Sequence, residues 1–282
     1  MNEVKALARL GPVISTSWSG YPQTAGPPSE MGYALVAAQG EVYGFGSLGG
    51  AWEDPVLTPG QQLAGVAFTP SGRGCWLVST EGTVVCRGDA PSIGCPKDLG
   101  VVVPAAAVVA APGGLGYYVA VEDGGVYTFG AAGFFGSMSD ADLNQPIVDM
   151  AMRPGGDGYW TMAADGGVFA FGGAPFCGSG VEIPLTSPAV SIAGTPSGRG
   201  YWVATRAGDV LTFGDAVDFG CLADLGAPGP TIGMRSSRQV FGYWMASETG
   251  VVRAFGDTYF LGCVPPATLA PPFVAFGAVG TV

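Results

Sequence analysis

No histidine occurs among the 282 residues, so any chemistry would rest on carboxylates and thiols. The commonest general base and the commonest zinc ligand are both missing. One carboxylate stands apart. Asp149 falls in a column of small residues that recurs along the chain, with Gly65, Ala107, Ser191, Gly233 and Ala275 at the equivalent places. Glycoside hydrolysis needs a second carboxyl about 5–10 Å away across a cleft. No second acid shares that column, so no catalytic residue is expected, and Asp149 reads as a carboxylate satisfied by hydrogen bonds or by an arginine. The six cysteines fit no C-x-x-C zinc spacing, and no metal site is expected. Cys75, Cys86 and Cys95 fall on successive expected strands, with Cys86 and Cys95 nearly opposite across a hairpin. A disulfide could join that pair in an oxidising compartment; the alternative is a pair of buried free thiols. Cys221 and Cys263 sit at equal places in neighbouring repeats, too far apart to bridge. Gly166-Gly167 and Gly172-Gly173 precede no helix, so they read as hairpin turns and imply no nucleotide cofactor.

Charge and aromatic residues suggest binding. The net charge of −11 makes DNA or RNA a poor partner. Trp76, Tyr118, Trp160, Trp202 and Trp244 share one column, and Phe45, Phe129, Phe171, Phe213 and Phe255 another. Tryptophans could stack on sugar rings, but recurrence in nearly every repeat favours rings that fill the wedge between packed sheets. Trp18, Tyr21 and Trp52 lie outside this ladder and are candidate exposed contacts.

These residues are placed by a repeat. A glycine followed by an aromatic residue returns every 42 residues, as Gly32-Tyr33, Gly116-Tyr117, Gly158-Tyr159, Gly200-Tyr201 and Gly242-Tyr243, with Gly74-Cys75 in the second slot. Within one repeat, residues 147–152, 158–164, 167–171 and 175–180 read as four short strands, with Asp165-Gly166 suited to a type I′ turn. The first strand carries a large apolar column (Val66, Val108, Met150, Ile192, Met234, Phe276). A small column follows it (Ala67, Val109, Ala151, Ala193, Gly277), broken by Arg235. One large and one small face suit the crowded innermost strand of a propeller blade. The expected fold is all-β: a six-bladed β-propeller of 42-residue four-stranded blades, closed by the C-terminal strand joining the first blade. The blades would be about 32–56 plus 272–282, 63–97, 105–139, 147–181, 189–223 and 231–265. Residues 1–31 would be an N-terminal arm: a helical turn over 2–9, an extra strand over 12–18, then a proline-marked linker. No apolar run reaches 18 residues, so no membrane span is expected. Residues 1–18 lack the apolar core of a secretory signal, which suits a protein not exported by that route, a mature fragment, or exit by lysis within a larger particle.

In such a propeller, one face would collect Glu41, Glu53, Asp54, Glu81, Asp98, Glu122, Asp123, Asp140, Asp142, Asp165, Glu182, Asp209, Asp224 and Glu248, against only Lys97 and Arg206. The other would carry Arg73, Arg153, Arg199, Arg235 and Arg238 near its inner ring, with Asp89, Asp215 and Asp257 further out. An acidic face could dock on a basic partner or on cations, or could serve solubility alone.

The run GVAFTPSGRGCWLVSTEGTVVCR (65–87) is similar to the general WD40 pattern, without its Trp-Asp dipeptide. GYWTMAADGGVFAFGGAPFCGS (158–179) and GYWVATRAGDVLTFGDAVDFGC (200–221) resemble repeats of actinobacterial proteins and their phages. The resemblance covers about 32–282 and is weaker in the first two repeats, where Ala34 and Arg87 replace the expected Trp and Phe. It implies a propeller-like interaction module of exported or envelope-associated proteins, and transfers no catalytic residue. The expected function is therefore non-enzymatic binding or assembly. The chain would be a tail or capsid-associated virion component, or a surface protein, contacting other subunits or envelope glycan. A glycan-active enzyme or a lectin with a site at the propeller mouth is the alternative.

Overall fold

The computed structural model describes residues 29–49, 57–58, 60–226, 229–264 and 272–279. The strands are β1 (Gly32–Ala37), β2 (Val42–Gly46), β3 (Leu63–Phe68), β4 (Gly74–Ser79), β5 (Val84–Gly88), β6 (Ala105–Ala110), β7 (Gly116–Val121), β8 (Val126–Gly130) and β9 (Ile147–Met152). There follow β10 (Gly158–Ala163), β11 (Val168–Gly172), β12 (Ala189–Gly194), β13 (Gly200–Thr205), β14 (Val210–Gly214), β15 (Thr231–Ser236), β16 (Gly242–Ser247), β17 (Val252–Gly256) and β18 (Phe273–Val279). They form six three-stranded antiparallel sheets. Sheets two to six each use three consecutive strands, whereas sheet one has the order β18-β1-β2. Phe273 pairs with Ala37 and Val279 with Gly32, so the first sheet takes its edge from the far end of the chain.

The expected fourth strand is not formed: residues 175–180 carry no ladder. Pro175 has no N–H to donate, and side chains take up the segment's other polar groups. The Trp160 indole Nε1–H donates to the Pro175 carbonyl at 2.8 Å. The Tyr201 hydroxyl, from the next sheet, donates to the Gly178 carbonyl at 2.5 Å and accepts the Cys177 N–H at 3.1 Å. The 163–167 hairpin also differs from a type I′ turn. Ala163 N–H bonds the Gly167 carbonyl and Gly166 N–H bonds the Ala163 carbonyl, with Gly166 left-handed at φ 83°. That is the three-residue loop ending in a glycine bulge.

The core is distributed over seams between sheets. In four of the six seams the large column of one sheet meets small-column residues and the aromatic ladder of its neighbour. Val108 packs with Ala67 and Trp76, Met150 with Ala107 and Tyr118, Ile192 with Ala151 and Trp160, and Met234 with Ala193 and Trp202. Phe276 packs with Trp244 and Ala246, and Val66 with Ala34 and Ala275. Each sheet thus contributes to two seams. The first strands touch in series, β3 on β6, β6 on β9, β9 on β12, and β12 on β15. β18 contacts both β15 and β3.

The aromatic ladder lies within these seams. Trp76, Trp160, Trp202 and Trp244 are fully buried. Each meets the Gly-Tyr tyrosine of the next sheet: Trp76–Tyr117 at 5.2 Å, Trp160–Tyr201 at 5.5 Å, Trp202–Tyr243 at 5.2 Å and Trp244–Tyr33 at 5.6 Å. Packing, not sugar stacking, accounts for the repetition. Burial raises the phenol pKa of Tyr159 and Tyr201 to about 12 and moves Tyr33, Tyr117 and Tyr243 the same way. The fold favours the un-ionised phenol, so this stability is complete below the ordinary pKa of 10.0 and is lost as pH climbs through about 12. An ultraviolet phenolate titration should leave these tyrosines silent near pH 10 and show them ionising together with alkaline unfolding. Ionisation near pH 10 with the fold intact would contradict the burial.

Candidate functional site

Two exceptions in the repeat columns meet in the structure. Asp149 on β9 and Arg235 on β15 form an ion pair of 3.2 Å, with side chains 7% and 22% exposed. Ser191 on β12 stands between them. The Asp149 carboxylate accepts from the Met150 N–H at 2.9 Å on Oδ1. Its Oδ2 accepts from the Ser191 hydroxyl at 2.6 Å, the Ile192 N–H at 3.0 Å and Arg235 Nη1. Ser191 Oγ in turn accepts from the Met234 N–H at 3.0 Å and from Arg235 Nη1 at 2.9 Å. Its single proton goes to the carboxylate, the charged and closer acceptor. Arg235 Nη1 also reaches the Met234 carbonyl at 2.7 Å. Three sheets are clasped through one carboxylate. Both its oxygens are engaged as acceptors, which suits a structural clasp better than a proton donor to substrate.

Arg235 also divides the space along the first strands. On one side is a cavity of about 50 Å³ whose wall includes Gly65, Ala107, Asp149 and Ser191. On the other is one of about 180 Å³, walled by Phe68, Val108, Met150, Met152 and Ile192 and bearing Arg235, Ser236 and Arg238. Its mouth lies at the end where first strands turn into second strands, beside Pro70 and Pro112. Among the described residues, no carboxylate lines this larger cavity. Arg238 lies at the rim and makes no hydrogen bond or ion pair among the described residues; partial burial of its guanidinium lowers its pKa. The sequence flagged Arg235 as an exception to its column. It also set Arg238 near the inner ring of this face, but could not show that it walls a cavity, because that residue lies in a turn outside the strand periodicity.

The acidic residues gather at the opposite end of the sheets. Glu41, Glu81, Glu122, Asp123, Asp165, Asp209 and Glu248 lie in the turns between second and third strands. Asp98, Asp140, Asp142, Glu182 and Asp224 lie in sheet-to-sheet linkers hydrogen-bonded to those turns, as Lys97 N–H to Gly82, Met138 N–H to Gly124, Gly180 N–H to Gly166 and Ala223 N–H to Gly208. The two cations placed there pair locally, Lys97 with Glu81 at 3.4 Å and Arg206 with Glu248 at 3.9 Å. Among the described residues no three of these carboxylates cluster closely enough to hold a metal ion. Glu53, Asp54, Trp18, Tyr21 and Trp52 lie outside the described residues.

The other end is balanced rather than positive. Arg73 pairs with Asp89 at 3.7 Å, Arg153 with Asp157 at 2.6 Å and Arg199 with Asp215 at 3.5 Å. Asp89 also accepts from the Ser71 and Thr69 hydroxyls, which with Arg73 hold its carboxyl below the ordinary value. Thr195, Ser197 and Asp215 repeat that arrangement. These pairs tie turns to sheets, whereas Arg238 has no carboxylate partner among the described residues. No disulfide joins Cys86 and Cys95; both are free, as are Cys75, Cys177, Cys221 and Cys263. Burial pushes the Cys75 thiol up to about 12 and raises Cys86, Cys177, Cys221 and Cys263, so none of these five is poised as a thiolate.

No protein-family model and no curated protein matches this chain. Among the described residues, no helix is long and apolar enough to cross a membrane.

Proposed function

We propose that the six sheets close into a six-bladed β-propeller and that the protein is a non-enzymatic binding and assembly module. The serial contacts of first strands, with β18 touching both β15 and β3, support closure. The docking reading rests on one observation: carboxylates far outnumber cations at one end of the sheets, while Arg73, Arg153 and Arg199 of the other end are matched by aspartates. A surface of that kind steers and registers a cationic partner. The partner would be a basic surface on a neighbouring protein subunit. The likeness of the repeats to those of actinobacterial proteins and their phages sets this in a virion, as a tail or capsid-associated component, or at the cell surface.

Carboxyl-to-amine cross-linking of native assemblies tests this. Links should run from Glu122, Asp123, Asp165 and Glu182 to lysines of another protein, and should fade as salt is raised. Links confined to Asp89, Asp157 and Asp215 at the opposite end would remove the acidic end as the docking surface.

A further inference from the structure

The larger cavity has features that the docking reading does not use. Its volume is about 180 Å³. An apolar cavity of about 150 Å³ is enough to take up benzene. Phe68, Val108, Met150 and Ile192 provide the apolar wall, and Arg235 and Arg238 provide the charge. Arg235 is anchored through Nη1 alone; Nε and Nη2 make no hydrogen bond among the described residues. A guanidinium with donors to spare matches a carboxylate geometrically, since two parallel N–H groups can meet two oxygens. Among the described residues, no acid on the wall competes for that role.

We propose that this cavity is a binding site for a small organic carboxylate with a compact apolar body, the carboxylate held by Arg238 and the free edge of Arg235. The Asp149–Ser191 clasp is then also a positioning device: it fixes the Arg235 guanidinium across the floor of the site. This site is independent of the acidic end, because the two lie at opposite ends of the first strands; either can fail without the other.

Isothermal titration of the full chain with benzoate, benzamide and inorganic phosphate tests it. Benzoate should bind one to one. Benzamide, which keeps the ring and loses the charge, should bind at least about tenfold more weakly, the size expected for losing a charge-assisted hydrogen bond. Phosphate, which keeps charge and lacks the apolar body, should also be weaker. Arg238→Met should weaken benzoate by about tenfold or more. It should leave the melting temperature of the free protein unchanged, because Arg238 holds no partner among the described residues. Absence of benzoate binding, equal binding of benzoate and benzamide, or benzoate binding that survives Arg238→Met overturns the proposal.

Discussion

Replacing Trp244 with alanine should cost the fold about 3–5 kcal/mol, the range for a fully buried large aromatic. Trp244 is wholly excluded from solvent in the seam between sheets six and one, where Phe273, Phe276 and Val264 surround it. Its ring meets Tyr33 at 5.6 Å. Its Nε1–H donates to the Tyr259 carbonyl at 2.8 Å, so truncation also removes a buried hydrogen bond. Trp244→Phe keeps much of the ring volume and loses the bond; it should fall between the two. Denaturant unfolding monitored by circular dichroism reads the difference as a shift in midpoint at unchanged slope. A loss below about 1 kcal/mol for Trp244→Ala would mean that the seam re-forms around the gap.

Asp149→Ala is expected to cost about 3–5 kcal/mol, because it leaves a buried partner of an ion pair uncompensated. The Arg235 guanidinium loses its counter-ion, and the Ile192 N–H and Ser191 hydroxyl lose their acceptor. The double variant Asp149→Ala/Arg235→Met should recover most of that loss, since apolar replacement of a whole buried pair is often nearly neutral. A double-mutant cycle measures the coupling. If the two single losses simply add, the carboxylate and guanidinium are not energetically linked, and the clasp is a geometric coincidence.

The strand pattern was legible because the glycine–aromatic repeat and the large-then-small columns have one physical cause. Each first strand must present a bulky face to one neighbouring sheet and a thin face to the other, so the same two columns recur. The pairing of β18 with β1 was legible for the same reason: 273–279 carries the columns that the first repeat lacks. The fourth strand was not, because alternation in a six-residue stretch cannot reveal that Pro175 and the tyrosine hydroxyl of the next sheet will take the place of a ladder. Asp149 and Arg235 each departed from a column, yet nothing in a linear pattern says that two departures in separate repeats converge, with the regular column member Ser191, on one carboxylate. The Asp157 partner of Arg153 was missed because it sits in a turn where only its own repeat has an acid at that position. Ala34 and Cys75, read separately as weak matches to the repeat, turn out to share a single seam, between sheets one and two. Cys75 pairs with Arg87 across β4 and β5, where other repeats pair tyrosine with phenylalanine. That seam is built from aliphatic residues around Phe68 and Leu77 instead.

The way β18 bridges β15 and β3 bears on how the molecule comes apart. In a linear stack of repeats the outermost unit has one neighbour and can peel away first, so melting spreads inward from an end. In the ring proposed above every sheet would be flanked on two sides, and releasing any of them would sacrifice two interfaces at once. Slow amide exchange should therefore be spread evenly over the middle strands of all six sheets, with no progressive gradient along the chain.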